Sequence, residues 1–203
     1  MAYMSIDERR KQLVAAAIAV MTRDGIAAMT TRRIADEANV PLGTVHYCFA
    51  TKEDLLLAAV SDLSQELSEA GQIALVRGGD LRTNLAHALH AIWNTAIRDE
   101  LRRLVTYEIA TWSVRSKNHA QVARDQYAGY IETAGAMLLQ AADEAGMEYT
   151  LPFETLKRWT LVTFDGLMLA YIVDHDNERS LAVLDTFVGV LVTFARPKSK
   201  PTS

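Results

Sequence analysis

The chain has 203 residues, half of them hydrophobic, and a formal net charge of −4 at neutral pH. This size and composition suit a helical domain with a good core plus a small appended domain, and they argue against a disordered chain. The single cysteine excludes an internal disulfide, and no basic and apolar N-terminal signal is recognisable, so we expect a cytoplasmic protein. The longest apolar stretch, residues 159–173, is interrupted by Asp165 and too short to span a bilayer, so no membrane segment is expected.

Charge is distributed unevenly along the chain. Residues 1–52 carry a net charge of +2, whereas residues 53–203 carry −6. A net negative protein does not bind nucleic acid through its overall field. Any affinity for DNA must therefore depend on a few placed cations and on dimerisation.

The first predicted helix begins at a capping box formed by Ser5 and Glu8 and ends at Gly25. Apolar residues recur along it at helical spacing, namely Leu13, Val14, Ala17, Ile18 and Met21. We expect this helix to support the two that follow. The basic cluster near its start is either a phosphate contact or a solvated group of charges: Arg9, Arg10 and Lys11.

Residues 30–52 predict two short helices separated by a tight turn. Thr30 or Thr31 can cap the first helix, and Asn39, which tolerates a left-handed backbone, should end it. Pro41 is well suited to the first position of the second helix. The inward-facing residues of the two helices are predicted to be Ile34, Ala35, Ala38, Val45 and Phe49.

The second of these helices is slim and rich in polar groups. The major groove of DNA admits one helix, which is read by side chains that touch base edges. Thr44, His46 and Tyr47 are predicted to face such a partner, and Lys52 is placed to bind a phosphate. The pattern indicates a helix-turn-helix that binds double-stranded DNA, with predicted contacts at Thr31, Arg32, Arg33, Leu42, Thr44, His46, Tyr47 and Lys52.

A set of residues in this region recurs in the order and spacing of a known family: Gly25, Thr31, Ile34, Ala35, Ala38, Val40, Gly43, Tyr47, Phe49, Lys52, Glu53, Asp54 and Leu55. In these residues, from about position 9 to 57, the chain resembles the DNA-binding domain of the tetracycline-repressor (TetR) family of one-component bacterial regulators. The family usually has serine, tyrosine and histidine where this chain has Pro41, His46 and Cys48. These departures concern the operator sequence rather than DNA binding itself.

The remaining chain predicts six more helices and no strand, which gives an all-α fold of about nine helices. Their expected spans are about 51–75, 80–98, 100–115, Asn118 to Ala145, 153–174 and 178–195. The β-branched run at residues 186–193 is the one segment that propensity alone would also allow as a buried strand. We expect a helix-turn-helix domain at 1–51, a helical effector-binding and dimerisation domain at 52–196, and a flexible tail at 197–203.

The last two helices are apolar on more than one face, which predicts burial beyond their own core. Gly166 and Gly189 lie mid-helix, where glycine is costly unless another backbone approaches closely. The resemblance implies a homodimer formed through these two helices, and core packing of a monomer is the alternative. The predicted interface residues are Trp159, Val162, Gly166, Leu184, Val188 and Leu191.

The resemblance also implies a pocket for a small-molecule effector of unknown identity among the fourth to eighth helices. Candidate lining residues are His90, Trp93, Tyr107, Glu108, Trp112, Tyr127, Tyr130, Met137 and Asp165. Trp93 and Trp112 with Glu108 would suit a cation, or else would be core filler and a surface ion pair. Asp165, among apolar neighbours, needs a partner, and structural pairing is the simpler alternative.

Neither a metal nor a cofactor is predicted. His87 and His90 are three residues apart, but no third ligand follows them in a recognisable pattern. Cys48 is interpreted as a packed thiol rather than a redox switch.

Three functional classes are distinguishable for a chain with this pattern. The first is a homodimeric repressor that a small molecule releases from an inverted-repeat operator. The second is a regulator of the same fold that has no small-molecule inducer and is controlled by a protein partner or by its abundance. The third, an all-helical enzyme, lacks a nucleophile elbow, a phosphate loop, paired carboxylates and a metal triad, so no enzymatic activity is expected.

Overall fold

The structure, a computed structural model, describes residues 4–116 and 119–199. Within these ranges the chain forms nine α-helices, which confirms the all-α prediction. Their bounds are α1 Ile6–Asp24, α2 Thr31–Glu37, α3 Leu42–Cys48, α4 Lys52–Ile73, α5 Leu81–Arg98, α6 Glu100–Arg115, α7 Ala120–Glu144, α8 Phe153–Asp174 and α9 Asn177–Thr193. A short 3₁₀ helix, Ile26–Ala28, joins α1 to α2.

Helix starts follow local capping chemistry. The predicted capping box of α1 is confirmed, since Glu8 N donates to Ser5 Oγ and Ser5 N donates to Glu8 Oε2. Asp80 caps α5 in the same way, because its carboxylate accepts from Thr83 N at 3.0 Å. Hydrogen bonds from the Thr83 backbone and side chain lower the pKa of Asp80. An N-cap carboxylate of this kind satisfies a helix N–H group that has no partner within the helix.

Two short strands correct the prediction of a strand-free chain. Strands β1, Met147–Tyr149, and β2, Ala195–Pro197, pair antiparallel. Lys198 N continues the pairing by donating to Gly146 O at 2.9 Å. The expected flexible tail from residue 197 is therefore wrong for Pro197 and Lys198. The ladder joins segments about 50 residues apart, so no local periodicity could reveal it.

The other helix boundaries differ little from those expected. The predicted start of the seventh helix, Asn118, lies outside the described residues, and α7 is described from Ala120. The run 186–193, weighed as a strand, is helical within α9. Tertiary packing thus overrides the β propensity of this stretch.

The chain divides into two compact units. The first unit comprises Met1–Gln65 with Asp99–Tyr127, and the second comprises Glu66–Arg98 with Ala128–Ser203. The functional division after residue 51 stays a prediction, since these units instead group α6 with the first three helices and divide α4. Within the described ranges, no helix combines the length and the hydrophobicity that a bilayer span requires.

Each unit has its own apolar core. Fully buried side chains of the first unit include Leu13, Ile34, Leu55, Leu63 and Ile109. Those of the second unit include Leu85, Trp93, Leu138, Leu156 and Leu191. In the first unit this core fixes α2 and α3 against α1, which is the arrangement that positions the candidate site.

Candidate nucleic-acid interface

Helices α2 and α3 form a helix-turn-helix whose inner side is closed. Ile34, Ala35 and Val45 are no more than 2% exposed. Asn39 adopts a positive φ of 51°, which confirms the left-handed residue predicted for the turn. Val40 N donates to Ala35 O at 3.0 Å and closes the turn. The motif is therefore a packed unit rather than two independent helices.

The start of α2 presents polar and basic groups to solvent. Thr30 caps the helix, since its Oγ1 accepts from Arg33 N at 3.2 Å. Thr31 is partly buried, whereas Arg32 and Arg33 are exposed. Arg33 also forms an ion pair with Asp24, with 2.7 Å between Nη2 and Oδ2. Arg33 therefore already has an acidic partner within the first unit.

Helix α3 separates its side chains cleanly into two faces. Val45 and Cys48 are buried, and Phe49, which follows the helix, is 3% exposed. On the opposite face Leu42 is 39% and Tyr47 is 76% exposed. His46 is exposed and Thr44 partly so. Each residue predicted to touch DNA from α3 thus has some of its surface accessible.

Lys52, the predicted phosphate contact, occupies an unexpected environment. It is the first residue of α4, which Thr51 caps through a hydrogen bond from Asp54 N to Thr51 Oγ1 at 3.1 Å. The Lys52 ammonium lies 4.8 Å from the ring centroid of Trp112 on α6. Partial burial lowers the pKa of Lys52, because desolvation disfavours the charged form. Its head group is therefore shared between solvent and an aromatic face.

The effector candidates of the first unit already make contacts within that unit. Glu108 accepts a hydrogen bond from Ile26 N at 2.9 Å, which ties α6 to the 3₁₀ helix. Trp112 stacks on His119, with ring centroids 4.7 Å apart, and His119 in turn contacts the Glu53 carboxylate. Tyr107 and Tyr127 are partly buried. Glu108 and Trp112 therefore contribute to packing and hydrogen bonding within the first unit.

The effector candidates of the second unit are either buried or partly buried in that unit. Trp93 is fully buried, donates from Nε1 to Asn177 Oδ1 at 2.8 Å, and meets Phe164 and Tyr171 edge-on. His90 lies nearer the surface, with Nε2 at 2.7 Å from Asp185 Oδ1. Tyr130 and Asp165 are partly buried and Met137 is buried. Trp93 and Glu108, which the sequence linked in one cation site, belong to different units.

The predicted dimer face needs correction. Leu184, Val188 and Leu191 are at most 2% exposed within a single chain, so they belong to the protomer's own core and leave the predicted interface. At Gly189 a methyl group would lie 3.5 Å from the Arg82 guanidinium, which is an ordinary van der Waals distance, so packing within the protomer does not require glycine there. Trp159 is partly buried against Phe187 and Phe194. Val162, 50% exposed, and Gly166 remain at the surface.

Two contacts of α1 with the helix-turn-helix were not predicted from the sequence. Arg10 Nη1 donates to Cys48 O, and Gln12 Nε2 donates to Ala38 O at 2.8 Å. The sequence placed Arg10 either at a phosphate or in a solvated cluster. Its carbonyl partner lies 38 residues away, so no spacing rule could have found the contact.

Comparison with known proteins gives matches to regulators over both the site and the whole chain. The family model described as bacterial regulatory proteins, tetR family, matches residues 13–59, which include all of α2 and α3. Over 185 residues the chain is 31% identical to the HTH-type nicotine-responsive transcriptional repressor HdnoR of Paenarthrobacter nicotinovorans. That similarity covers 91% of this chain and 94% of the repressor.

Solved structures agree at the level of the fold. The multidrug binding protein EbrR complexed with ethidium superposes with a TM-score of 0.67 at 26% identity, covering 89% of this chain and 98% of that one. A transcriptional regulator from Rhodococcus sp. Rha1 superposes with a TM-score of 0.70 at 23% identity, covering 94% and 99%. The helical architecture of this chain is thus similar to that of proteins solved as regulators and as a ligand-binding protein.

Proposed function

This chain belongs to the tetR family of bacterial regulatory proteins, and from that premise we propose that it is a homodimeric repressor released from an inverted-repeat operator by a small molecule. It is a DNA-binding transcription regulator of the helix-turn-helix type.

The observation that carries the proposal is the outer face of α3. Tyr47 is 76% exposed while the adjacent inner face is closed, so a large aromatic side chain is held out by a rigid scaffold. A helix presented in this way fits the major groove, where Thr44 and His46 would touch base edges. Arg32 and Lys52 would touch phosphates and set the register. Lys52 reaches a phosphate by exchanging the ring face of Trp112 for it.

The surface of α8 supports the homodimer. Val162, Leu169 and Val173 are 50%, 49% and 77% exposed and recur with Gly166 at helical spacing. A methyl group added at Gly166 would meet no described atom within 4 Å outside its own helix and chain neighbours, so the protomer itself does not require glycine there. Close approach of a second copy explains both the glycine and the apolar stripe. Val183 and Val190, 48% and 36% exposed on α9, extend the apolar surface.

The relatives suggest the class of effector. HdnoR is described as nicotine-responsive, and EbrR was solved with ethidium. Both compounds are nitrogen heterocycles that carry a positive charge at neutral pH. We place the effector of this chain in the same class, against Phe164 and Tyr171, which are partly exposed and pack on the buried Trp93 in the second unit. Aromatic faces attract cations, which supports this assignment.

The proposal is tested by replacing the exposed ring. We expect Tyr47→Ala to weaken binding to an operator duplex by at least about tenfold, because the dimer loses one contact at each half-site and a good base contact contributes roughly 1–3 kcal/mol. Tyr47→Phe, which keeps the ring, is the matched control and should retain most of the affinity. Fluorescence anisotropy measures the binding, and light scattering should report the same mass for all three proteins. Wild-type affinity in Tyr47→Ala would contradict the docking of α3.

Effector control is tested on the same duplex. Nicotine and ethidium are added to the preformed complex, and release by either at a concentration that leaves free DNA unchanged supports the assigned class. Tyr171→Leu should then reduce release without reducing DNA binding. If neither compound nor a wider set of cationic heterocycles releases the DNA, the small-molecule part of the proposal is removed.

A further inference from the structure

The two helices of the motif end at carbonyl groups that α1 binds. Ala38 is the C-cap of α2 and Cys48 is the last residue of α3. Their carbonyl oxygens accept from Gln12 Nε2 and Arg10 Nη1 respectively. The last carbonyls of a helix have no partner within it and carry its partial negative charge, so a cation at the end of α3 is well placed.

Arg10 makes a second contact that fixes its orientation. Its guanidinium carbon lies 4.2 Å from the ring centroid of Phe49, the C-cap of α3. Phe49 is 3% exposed, and its N–H donates to Val45 O at 2.9 Å. A planar guanidinium stacks on a ring while donating in its own plane, which an ammonium does not do. The end of α3 is therefore held at both its carbonyl and its adjacent ring.

The neighbouring residues hold the contacts of Arg10 and Gln12 with the helix-turn-helix in place. Arg9 Nη1 donates to Gln12 Oε1 at 2.6 Å, which turns the Gln12 amide nitrogen toward Ala38 O. Arg9 and Arg10 are both partly buried, whereas Lys11 between them and Gln12 is exposed. The two arginines thus contact the protein itself, and Lys11 presents an otherwise comparable charge to solvent.

We propose that Arg10 is a positioning residue for DNA reading, which sets the angle at which α3 presents its outer face, and that it is not a phosphate contact. Helix α3 has only seven residues, so its own hydrogen bonds hold its far end weakly. Without Arg10 the end of α3 moves relative to α2. The loss falls on base recognition, since phosphates tolerate small displacements better than base edges do. The inference rests on the proposed reading of DNA by α3.

The test compares Arg10→Gln, Arg10→Lys and the control Lys11→Gln with wild type. Each is titrated with its operator duplex and with a random-sequence duplex of equal length over a salt series. We expect Arg10→Gln to lower the ratio of operator to random affinity about tenfold, as loss of a hydrogen bond from a charged donor allows. The slope of log affinity against log salt should stay at the wild-type value. Arg10→Lys should lower the ratio of operator to random affinity as much as Arg10→Gln does, and Lys11→Gln should leave this ratio at the wild-type value.

Three results would overturn the proposal. A uniform loss on both duplexes, with a slope smaller by about 1.8 because the dimer loses one phosphate contact at each half-site, would identify Arg10 as a phosphate contact. Restoration of the ratio by Arg10→Lys would mean that charge alone suffices. If wild type prefers the operator and Arg10→Gln keeps the same ratio of operator to random affinity, the positioning role alone is refuted. If wild type itself does not prefer the operator, the reading of DNA by α3 is refuted as well. If Arg10→Gln proves unfolded by circular dichroism, Arg10→Lys, which keeps the charge and most of the stem, carries the comparison.

Discussion

Gly166 and Gly129 are two mid-helix glycines with open space around them. A methyl group at either position would meet no described atom within 4 Å outside its own helix and chain neighbours. In an isolated protomer, replacement of either by alanine would therefore stabilise its helix by roughly 0.5–1 kcal/mol. Only Gly166 lies on the α8 stripe that we assign to the dimer, and Gly129 on α7 is its matched control.

We predict that Gly166→Ala weakens the dimer at least about tenfold, since a methyl group at a close helix crossing forces the two backbones apart. Gly129→Ala should leave the dimer constant unchanged and raise the free energy of unfolding. Sedimentation equilibrium measures the first quantity and thermal unfolding the second. If Gly166→Ala behaves like Gly129→Ala in both measurements, the assignment of this stripe to the interface fails.

Residue roles that depend on local pattern could be read from the sequence, and those that depend on distant partners could not. The exposed position of Tyr47, the Thr30 cap and the left-handed Asn39 follow from helical spacing and backbone preference, and the structure agrees. The contact of Lys52 with Trp112 joins residues 60 positions apart. The hydrogen bond from Ile26 N to Glu108 joins residues 82 positions apart. Such pairings arise from tertiary packing, which periodicity does not encode.

The pairing of β1 with β2 gives the end of the chain a structural role. Thr150 N donates to Phe194 O at 2.8 Å, and Arg196 Nε lies 2.8 Å from Glu148 Oε1 at the exposed edge. The ladder thereby ties the segment after α9 to the segment between α7 and α8. An exposed ion pair contributes little by itself, so we attribute the stabilisation mainly to the backbone bonds.

We predict that truncation after Phe194 lowers the free energy of unfolding by about 1–2 kcal/mol, the contribution expected from a few net hydrogen bonds. For a protein of this size that corresponds to a melting temperature roughly 2–8 °C lower. Truncation after Ser199, which leaves the ladder complete, is the control and should melt like wild type. Equal melting of both truncated proteins in a calorimeter would show that the ladder does not contribute.

Helix α9 illustrates what periodicity leaves undecided at the scale of an element. Its apolar residues occupy two faces, and the sequence assigned Leu184, Val188 and Leu191 to a partner. The structure turns these three inward and leaves Val183 and Val190 outside. Periodicity shows that two faces of α9 are apolar. It does not show which face packs in the core of the protomer and which stays at the surface, because a core and a second copy of the chain both favour apolar side chains.

For the whole molecule, the sequence was sufficient for the family and the all-α architecture, because the helix-turn-helix residues are local in sequence and regular in spacing. The division of labour between the two units is less accessible, since α4 contributes to both and α6 joins the first unit. The net charge of −4 has a further consequence at this scale. Because the overall field opposes DNA, affinity must come from a few placed cations and, in the homodimer that we propose, from two half-sites bound together.

Selection of bound duplexes from a random pool is the measurement that tests the central claim most directly. A homodimer that reads DNA through α3 should enrich an inverted repeat whose half-site centres lie about one helical turn, or a multiple of it, apart. Affinity for the winning duplex should fall steeply with salt, because several phosphates are neutralised. A single enriched half-site would contradict the dimer. The control is a mass spectrum of the denatured protein, which reveals any small molecule that was bound. If no such molecule is found and no duplex is enriched, the reading of DNA by α3 is contradicted altogether.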